Sequence, residues 1–402
     1  MAAAAALVSP LDAAVKAVPT TPVSSQQEQL RTIYGKLTDY LRELIGSAKV
    51  RLKNGVVLLL PSGDSSYRSV WPDDSLYPLI ADPRLVIQAE LSGQLQFLTE
   101  SVVEMTQLPD RVDSDGLPIL SPGHSTQPPM TDRMALHLPA AWVRLLSYYR
   151  SFDIKIPRKR EWAGVVERSF NLDSFACGLA YADPQKPPIG YGYQDSIRIT
   201  GFDLMTSIVL YRGLQRASAL FSDVADPATL ERWKELAAAI PPNLHRLYDP
   251  AIGGYVGGSR QGHQFSVWGN GLAYFLAPAP VQQQIVQFYR NNRKKIFLLG
   301  CTRQIAEPGG WQGPGQPPVG YQNGGFWSTG TGYVLPAIYD QDPTFALELA
   351  DELVRNLPKI DYCEWLDGTG KPVEAMKFLP GVAVPCIGIK SILERRPLIE
   401  YF

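Results

Sequence analysis

The chain has 402 residues, with 38 Lys and Arg against 39 Asp and Glu and a formal net charge of -1, so no positive excess exists to hold a polyanion and nucleic acid is not expected as a partner. Its four cysteines, at 177, 301, 363 and 386, form no CxxC pair, which argues against a zinc knuckle or a redox motif and fits a reducing, cytoplasmic setting. No segment approaches the run of about 18 apolar residues that a membrane helix needs.

Residues 1–24 are rich in Ala, Ser, Pro and Thr, a composition expected to stay disordered. From Ser25 to about Gly46, apolar residues recur at helical spacing (Leu30, Ile33, Leu37, Leu41, Leu44) and predict an amphipathic helix. Residues 53–78 read as a short strand pair or loop, 83–108 as helix and 113–130 as loop. Helical patterns follow at 131–152, 161–173, 196–221, 226–248 and 266–292. A Gly- and Pro-rich stretch at 304–324 precedes further helices at 328–341, 342–357 and 381–396. Such alternation of helices and long loops predicts an all-α domain over 25–402, built as helical hairpins closed in a ring or as two packed bundles.

The chemistry-bearing residues narrow the options. His124, His137, His245 and His263 are scattered and no HExxH occurs, so neither a metal nor any other cofactor is expected. No P-loop, GxSxG elbow or GxGxxG fingerprint is present. His137, on a largely apolar helix, reads as a satisfied interior donor. Carboxylates in aromatic company remain: Asp73 and Asp74 after Trp71, Asp132 at a helix start, Asp195 in YGYQDS and Glu364 in CEWLDGTGKP. Taken singly, each suits a helix cap or a turn. Together they fall at the ends of different helices, where a ring could gather them. Hydrolysis of a glycosidic bond by inversion needs two such acids, roughly 6.5–9.5 Å apart with water between them.

Three segments carry a resemblance. GYQNGGFW (320–327), VWPDDSLYP (70–78) and CEWLDGTGKP (363–372) resemble, in this order of specificity, loops of the six-hairpin, (α/α)6-barrel glycoside hydrolases. Within that clan the likeness is to the inverting α-glucosidase, trehalase, glucosylglycerate hydrolase and neutral invertase group. The resemblance implies an (α/α)6 toroid and an inverting hydrolase of a small α-glucoside or disaccharide. It implies Asp132 as general acid and Glu364 as general base, with Asp195 binding sugar hydroxyls or, if the alignment of the helices is shifted by one hairpin, serving as the acid itself. The implied sugar contacts are Trp71, Asp73, Asp74, Arg133, Tyr193, His263, Asn270, Trp311, Tyr321, Gln322, Asn323, Trp327 and Trp365. Two departures stand out: Asp73 occupies a position where relatives often carry Arg, and the last helix lacks their Trp-Ser-Ala. A sugar epimerase, an unsaturated-uronide hydrolase or a non-catalytic carbohydrate-binding protein on the same barrel are the rival readings. The expected partner is a small saccharide, with no membrane and with self-association left open.

Overall fold

The computed structural model describes residues 25–64, 66–85, 87–120, 135–170, 174–311 and 319–402; the disorder expected for 1–24 concerns residues outside these. In chain order the helices are α1 (Ser25–Ile45), α2 (Pro72–Ala81), α3 (Gln88–Val102), α4 (Leu138–Ser151), α5 (Lys159–Ser169), α6 (Leu204–Leu220), α7 (Pro227–Asn243), α8 (Val267–Ala273), α9 (Ala279–Asn291), the single turn α10 (Arg293–Ile296), α11 (Ser328–Gln341), α12 (Pro343–Asn356) and α13 (Pro380–Glu394). Six of them form a closed inner ring: α2 packs on α4, α4 on α6, α6 on α8, α8 on α11, α11 on α13, and α13 back on α2. Outside lie α1 against α12 and α13, α3 and α5 against α4, α7 against α6, α9 against α11 and α12 against α11. This is an (α/α)6 toroid.

The two rings differ as burial on one or two faces demands. Outer α1 buries Leu30, Ile33, Leu37, Leu41 and Leu44 and turns its charged residues outward. Inner α11 is buried without a break from Ser328 to Ile338, and α13 from Pro380 to Ile389, so neither has a polar stripe. The expected helix at 266–292 is three pieces: α8, a 3-10 turn at Tyr274–Leu276, and α9, which begins after Pro278. Proline supplies no N–H to continue a helix but fits a first turn, as Pro227 does in α7 beneath the Asp226 cap.

Close approach in the inner ring depends on small residues. A Cβ on Gly332 of α11 would sit 2.2 Å from the Val384 carbonyl oxygen of α13, and one on Gly271 of α8 would sit 2.3 Å from the Tyr333 carbonyl oxygen. Backbone cannot yield as a flexible side chain can.

Along the ring's axis, the Tyr77, Tyr191 and Tyr333 hydroxyls meet at 2.9–3.5 Å. Arg144 lies over the Tyr77 and Phe402 rings and ion-pairs with Asp73. The closing turn Leu398–Tyr401 packs against α6, α8 and α13, and Phe402 rests on Tyr77 and Tyr333.

Gly332→Ala is therefore expected to destabilise the fold by about 1–3 kcal/mol. Gly35→Ala, at a position in α1 with nothing within 4 Å of the new methyl, should instead stabilise by about 0.5–1 kcal/mol. Thermal melts of the two variants would contradict this packing account if they shifted in the same direction.

Candidate active site

Every helix of the inner ring starts at the same end of the barrel, and there the preceding loops converge. A cleft at that end is lined by Tyr67, Trp71, Asp73 and Asp74 from the entry to α2, Asp110, His137 and Leu138 from the entry to α4, and Tyr193 and Asp195 from the entry to α6. Tyr321 and Gln322 come from the entry to α11, and Glu364 and Phe378 from the entry to α13.

Glu364 is 3% exposed. Its Oε2 accepts from the Tyr67 hydroxyl at 2.7 Å and its Oε1 from the Tyr321 hydroxyl at 3.2 Å. The backbone around it is held in an unfavourable form: Asp361, Tyr362, Glu374 and Lys377 all have φ near +50°, and Tyr321 has φ +39°. Non-glycine residues persist there only when surroundings over-determine them. Here the loop's backbone is pinned by Glu364 N to Ala375 O, Lys377 N to Asp361 O and Phe378 N to Tyr362 O, at 2.9–3.1 Å. Asp64 adds a tie to the Tyr67 loop, accepting from Met376 N at 2.7 Å and Ser66 N at 2.9 Å. Asp367, in the turn beyond, accepts from Thr369 and Lys371 and serves that turn.

Asp195 ends a 3-10 turn, Gly192–Gln194. Its Oδ1 accepts from Gln322 Nε2 at 2.6 Å, while Gln322 Oε1 is occupied by the N–H and hydroxyl of Ser196 at 2.9 and 2.7 Å. That orientation fixes the amide so that it donates to Asp195. Asp74 accepts from the Tyr193 hydroxyl at 2.5 Å. Helix capping does not account for Asp73 or Asp74, because Trp71 is the N-cap and no side chain caps α2.

Burial sets the electrostatics, and the crowding of acids adds to it. Burial pushes Glu364 up to about 8, and the Glu374, Asp195 and Asp74 charges add to the rise against the Tyr67 hydrogen bond. Burial likewise raises Asp195 to about 7, with Asp110 contributing, and Asp74 to about 7, with Asp73 contributing. These carboxyls titrate as a coupled set. Asp73 behaves oppositely: despite its burial, the Arg144 guanidinium and His137 hold it below the ordinary carboxylate range.

The cleft thus gathers Trp71, Asp73, Asp74, Tyr193, Asp195, Tyr321, Gln322 and Glu364 from the sequence reading. Asp132 and Arg133 lie outside the described residues; α4 itself begins at Leu138, so the helix start expected near 132 falls later in the chain. Six other expected sugar contacts do not line it. His263 is exposed and pairs with Asp249 at 3.0 Å. Asn270 spends its amide on Tyr255 N and O and on Ser266 O. His263 lies in the loop before α8 and Asn270 in α8 itself, the inner helix whose loop contributes no described lining residue. Asn323 bonds the Trp311 backbone in both directions, at 3.0 and 3.2 Å, and Trp311 packs with Ile197, Ile199 and Ile305. Trp327 and Trp365 stand behind Tyr321, with ring centroids 5.0 and 5.8 Å from it. The GYQNGGFW loop is therefore mostly scaffold for Tyr321 and Gln322.

Sequence reasoning missed Tyr67, Asp110 and His137 as cleft residues. Asp110 is reached through a small sheet in which Ser69–Val70 pairs with Arg111–Asp113, Val70 opposite Val112. This places Arg111 over the Trp71 ring, 5.1 Å from its centroid, and lets Asp110 Oδ2 accept from Trp71 Nε1 at 3.0 Å and from Arg111 at 2.8 Å.

No protein-family model matches the chain, and no curated protein matches it in sequence. Solved structures do share its fold. A rhamnosidase from Klebsiella oxytoca is 17% identical with a TM-score of 0.54, over 95% of this chain and 66% of that one. A bacterial glucoamylase complexed with acarbose is 13% identical with a TM-score of 0.58, over 94% of this chain and 57% of that one. The mannosylglycerate hydrolase of Thermus thermophilus is 15% identical with a TM-score of 0.55, over 88% of this chain and 99% of that one. The chain thus spans about two thirds of the rhamnosidase and somewhat over half of the glucoamylase. These are six-hairpin glycosidases, similar at low identity. Among the described residues no helix is long and apolar enough to cross a membrane.

A carboxyl whose folded pKa is raised contributes its full stability below its unfolded pKa and loses it as pH climbs through the folded value. Glu364, raised from 4.5 to about 8, should therefore destabilise the fold progressively across that window. Glu364→Gln is expected to stabilise the fold relative to the parent by on the order of a few kcal/mol at pH 9 and little at pH 4, read as a raised melting temperature. Equal melting curves at pH 9 would contradict the assigned environment.

Proposed function

We propose that the protein is an inverting glycoside hydrolase acting on a small α-glucoside or disaccharide, with Asp195 as general acid and Glu364 as general base. The observation that carries the reading is the cleft itself: two carboxyls from different loops line one partly enclosed space, one held by two tyrosines and the other by an oriented amide. Asp195, kept protonated up to about neutral pH by its surroundings, gives its proton to the departing glycosidic oxygen. Glu364, positioned by the Tyr67 and Tyr321 hydroxyls, takes a proton, in the molecules where it is ionised, from the water that attacks the anomeric carbon on the opposite face. Trp71, Tyr193 and Tyr321 offer flat faces to the sugar plane, and Asp74 and Gln322 offer polar atoms to its hydroxyls. Asp132 remains the alternative acid. An epimerase would want inward histidines as acid and base, and among the described residues only His137 lines the cleft.

Asp195→Asn and Glu364→Gln should each lower turnover by about 10²–10⁴-fold with the fold intact, measured on a panel of sucrose, trehalose, glucosylglycerate, kojibiose, nigerose, maltose and isomaltose. Asp132→Asn, run beside them, decides between the two acids: a comparable loss there with Asp195→Asn active would transfer the role. NMR of the first-formed anomer should show inversion, and retention would sink the mechanism.

The pH profile follows from the same groups. Activity should peak between about 7 and about 8, falling at lower pH as Glu364 is protonated and at higher pH as Asp195 loses its proton. Because the value of the base lies above that of the acid, the competent form is the minor singly protonated form of the pair; Tyr67→Phe removes a hydrogen bond that lowers the Glu364 pKa, so turnover at the optimum should fall and the alkaline limb should move to higher pH. An unmoved alkaline limb would show that the profile does not report Glu364.

A further inference from the structure

The backbone decides how the Gln322 amide is turned. Its Oε1 accepts from the Ser196 N–H at 2.9 Å and from the Ser196 hydroxyl at 2.7 Å. A backbone N–H can only donate, so the amide oxygen must face Ser196 and the amide nitrogen Asp195, whose Oδ1 accepts from Nε2 at 2.6 Å. One Nε2 hydrogen is all that Gln322 has left for a sugar. The residue is 1% exposed, whereas Asp195 keeps part of its surface open and lines the cleft.

The two loops are riveted together one residue further on. Ile197 and Ile199, which follow Ser196, pack on Trp311, and Asn323, which follows Gln322, bonds the Trp311 N–H and carbonyl at 3.0 and 3.2 Å. This scaffold holds Gln322 against Asp195 across 127 residues of sequence. The contact makes the two oxygens of Asp195 unequal. Nε2 carries only hydrogens, so a hydrogen on Oδ1 would meet another hydrogen. The proton of the neutral acid, which burial preserves up to about 7, belongs on Oδ2.

We propose that Gln322 is a positioning residue for the hydrolysis: locked by Ser196, it occupies Oδ1 of Asp195 and confines the transferable proton to Oδ2. The inference rests on the glycoside hydrolase reading with Asp195 as acid. As the glycosidic C–O bond breaks, its electron pair stays with the oxygen, which takes the Oδ2 proton; water bonds to the anomeric carbon and gives a proton to Glu364. Proton exchange with solvent then restores both carboxyls. A substrate whose leaving group departs as a stable anion has little need of the Asp195 proton, so kinetics are compared on α-D-glucosyl fluoride and on the disaccharide of the panel that the parent cleaves fastest. Gln322→Glu keeps an acceptor for Ser196 but sets an oxygen beside Oδ1, drawing the proton to that side. Gln322→Met keeps the length and offers Asp195 no donor. Each should lose about 10²-fold in kcat on the disaccharide, with KM moved by no more than a few-fold, and only a few-fold in kcat on the fluoride. Asp195→Asn should show the same split. Equal losses on both substrates in Gln322→Glu, or no loss on the disaccharide, would overturn the proposal, since a sugar contact or a damaged fold does not discriminate between leaving groups. If Asp195→Asn shows no split, the acid lies elsewhere and Gln322 loses this role while the hydrolase reading stands. If the folded parent cleaves neither substrate, the glycoside reading itself fails, and this role with it.

Discussion

Six inner helices can close into a ring this tight only where backbone meets backbone. Gly271 and Gly332 permit that closure, and the rest of the molecule follows from it. Once the ring closes with every inner helix starting at the same end, six loops have nowhere to go but over one opening. Residues remote in sequence, such as Tyr67 and Glu364, then come within hydrogen-bond distance. The outer helices serve the closure by covering the flanks. Their amphipathic pattern is ordinary, and their burial drives assembly without specifying the site.

What the loops bring together would repel itself in water and is worse placed out of it. Asp74, Asp195 and Glu364 share a cleft into which few compensating cations reach, because Arg111 is engaged with Asp110 and Arg144 with Asp73. Protons supply the compensation, and this gives the site its chemistry. A carboxyl that keeps its proton near neutrality is a donor in waiting. The strained backbone around Glu364 belongs to the same logic: a loop that could relax would carry that carboxyl away from its neighbours. Asp64 and the tyrosine hydroxyls hold it.

Much of this was legible in the sequence, and the limits have physical causes. Helical spacing revealed the elements, since burial on one face writes its period directly into α1 and α12. Acids beside aromatics at helix entries pointed to Asp74, Asp195 and Glu364. Tyr67, however, sits in a short polar stretch with no period, and only ring closure aims it at Glu364. His137 looked like core because its helix is apolar, yet it caps that helix at the end facing the cleft. Motif residues misled in the other direction. Asn270, inside α8, and Asn323, in a Gly-rich turn, have amides that match backbone N–H and C=O, and that match is consumed locally before any ligand arrives. Trp311, Trp327 and Trp365 are large enough to build the wall that the smaller contact residues stand on.

The far end of the barrel gives the architecture its traffic pattern. Leu398–Tyr401 packs beneath α6, α8 and α13, and Phe402 lies across the axis on Tyr77, Tyr333 and Arg144. The toroid is therefore a cup and not a pipe. Whatever enters must leave by the same rim, in reverse order of depth, so the piece seated on the floor is the last one out.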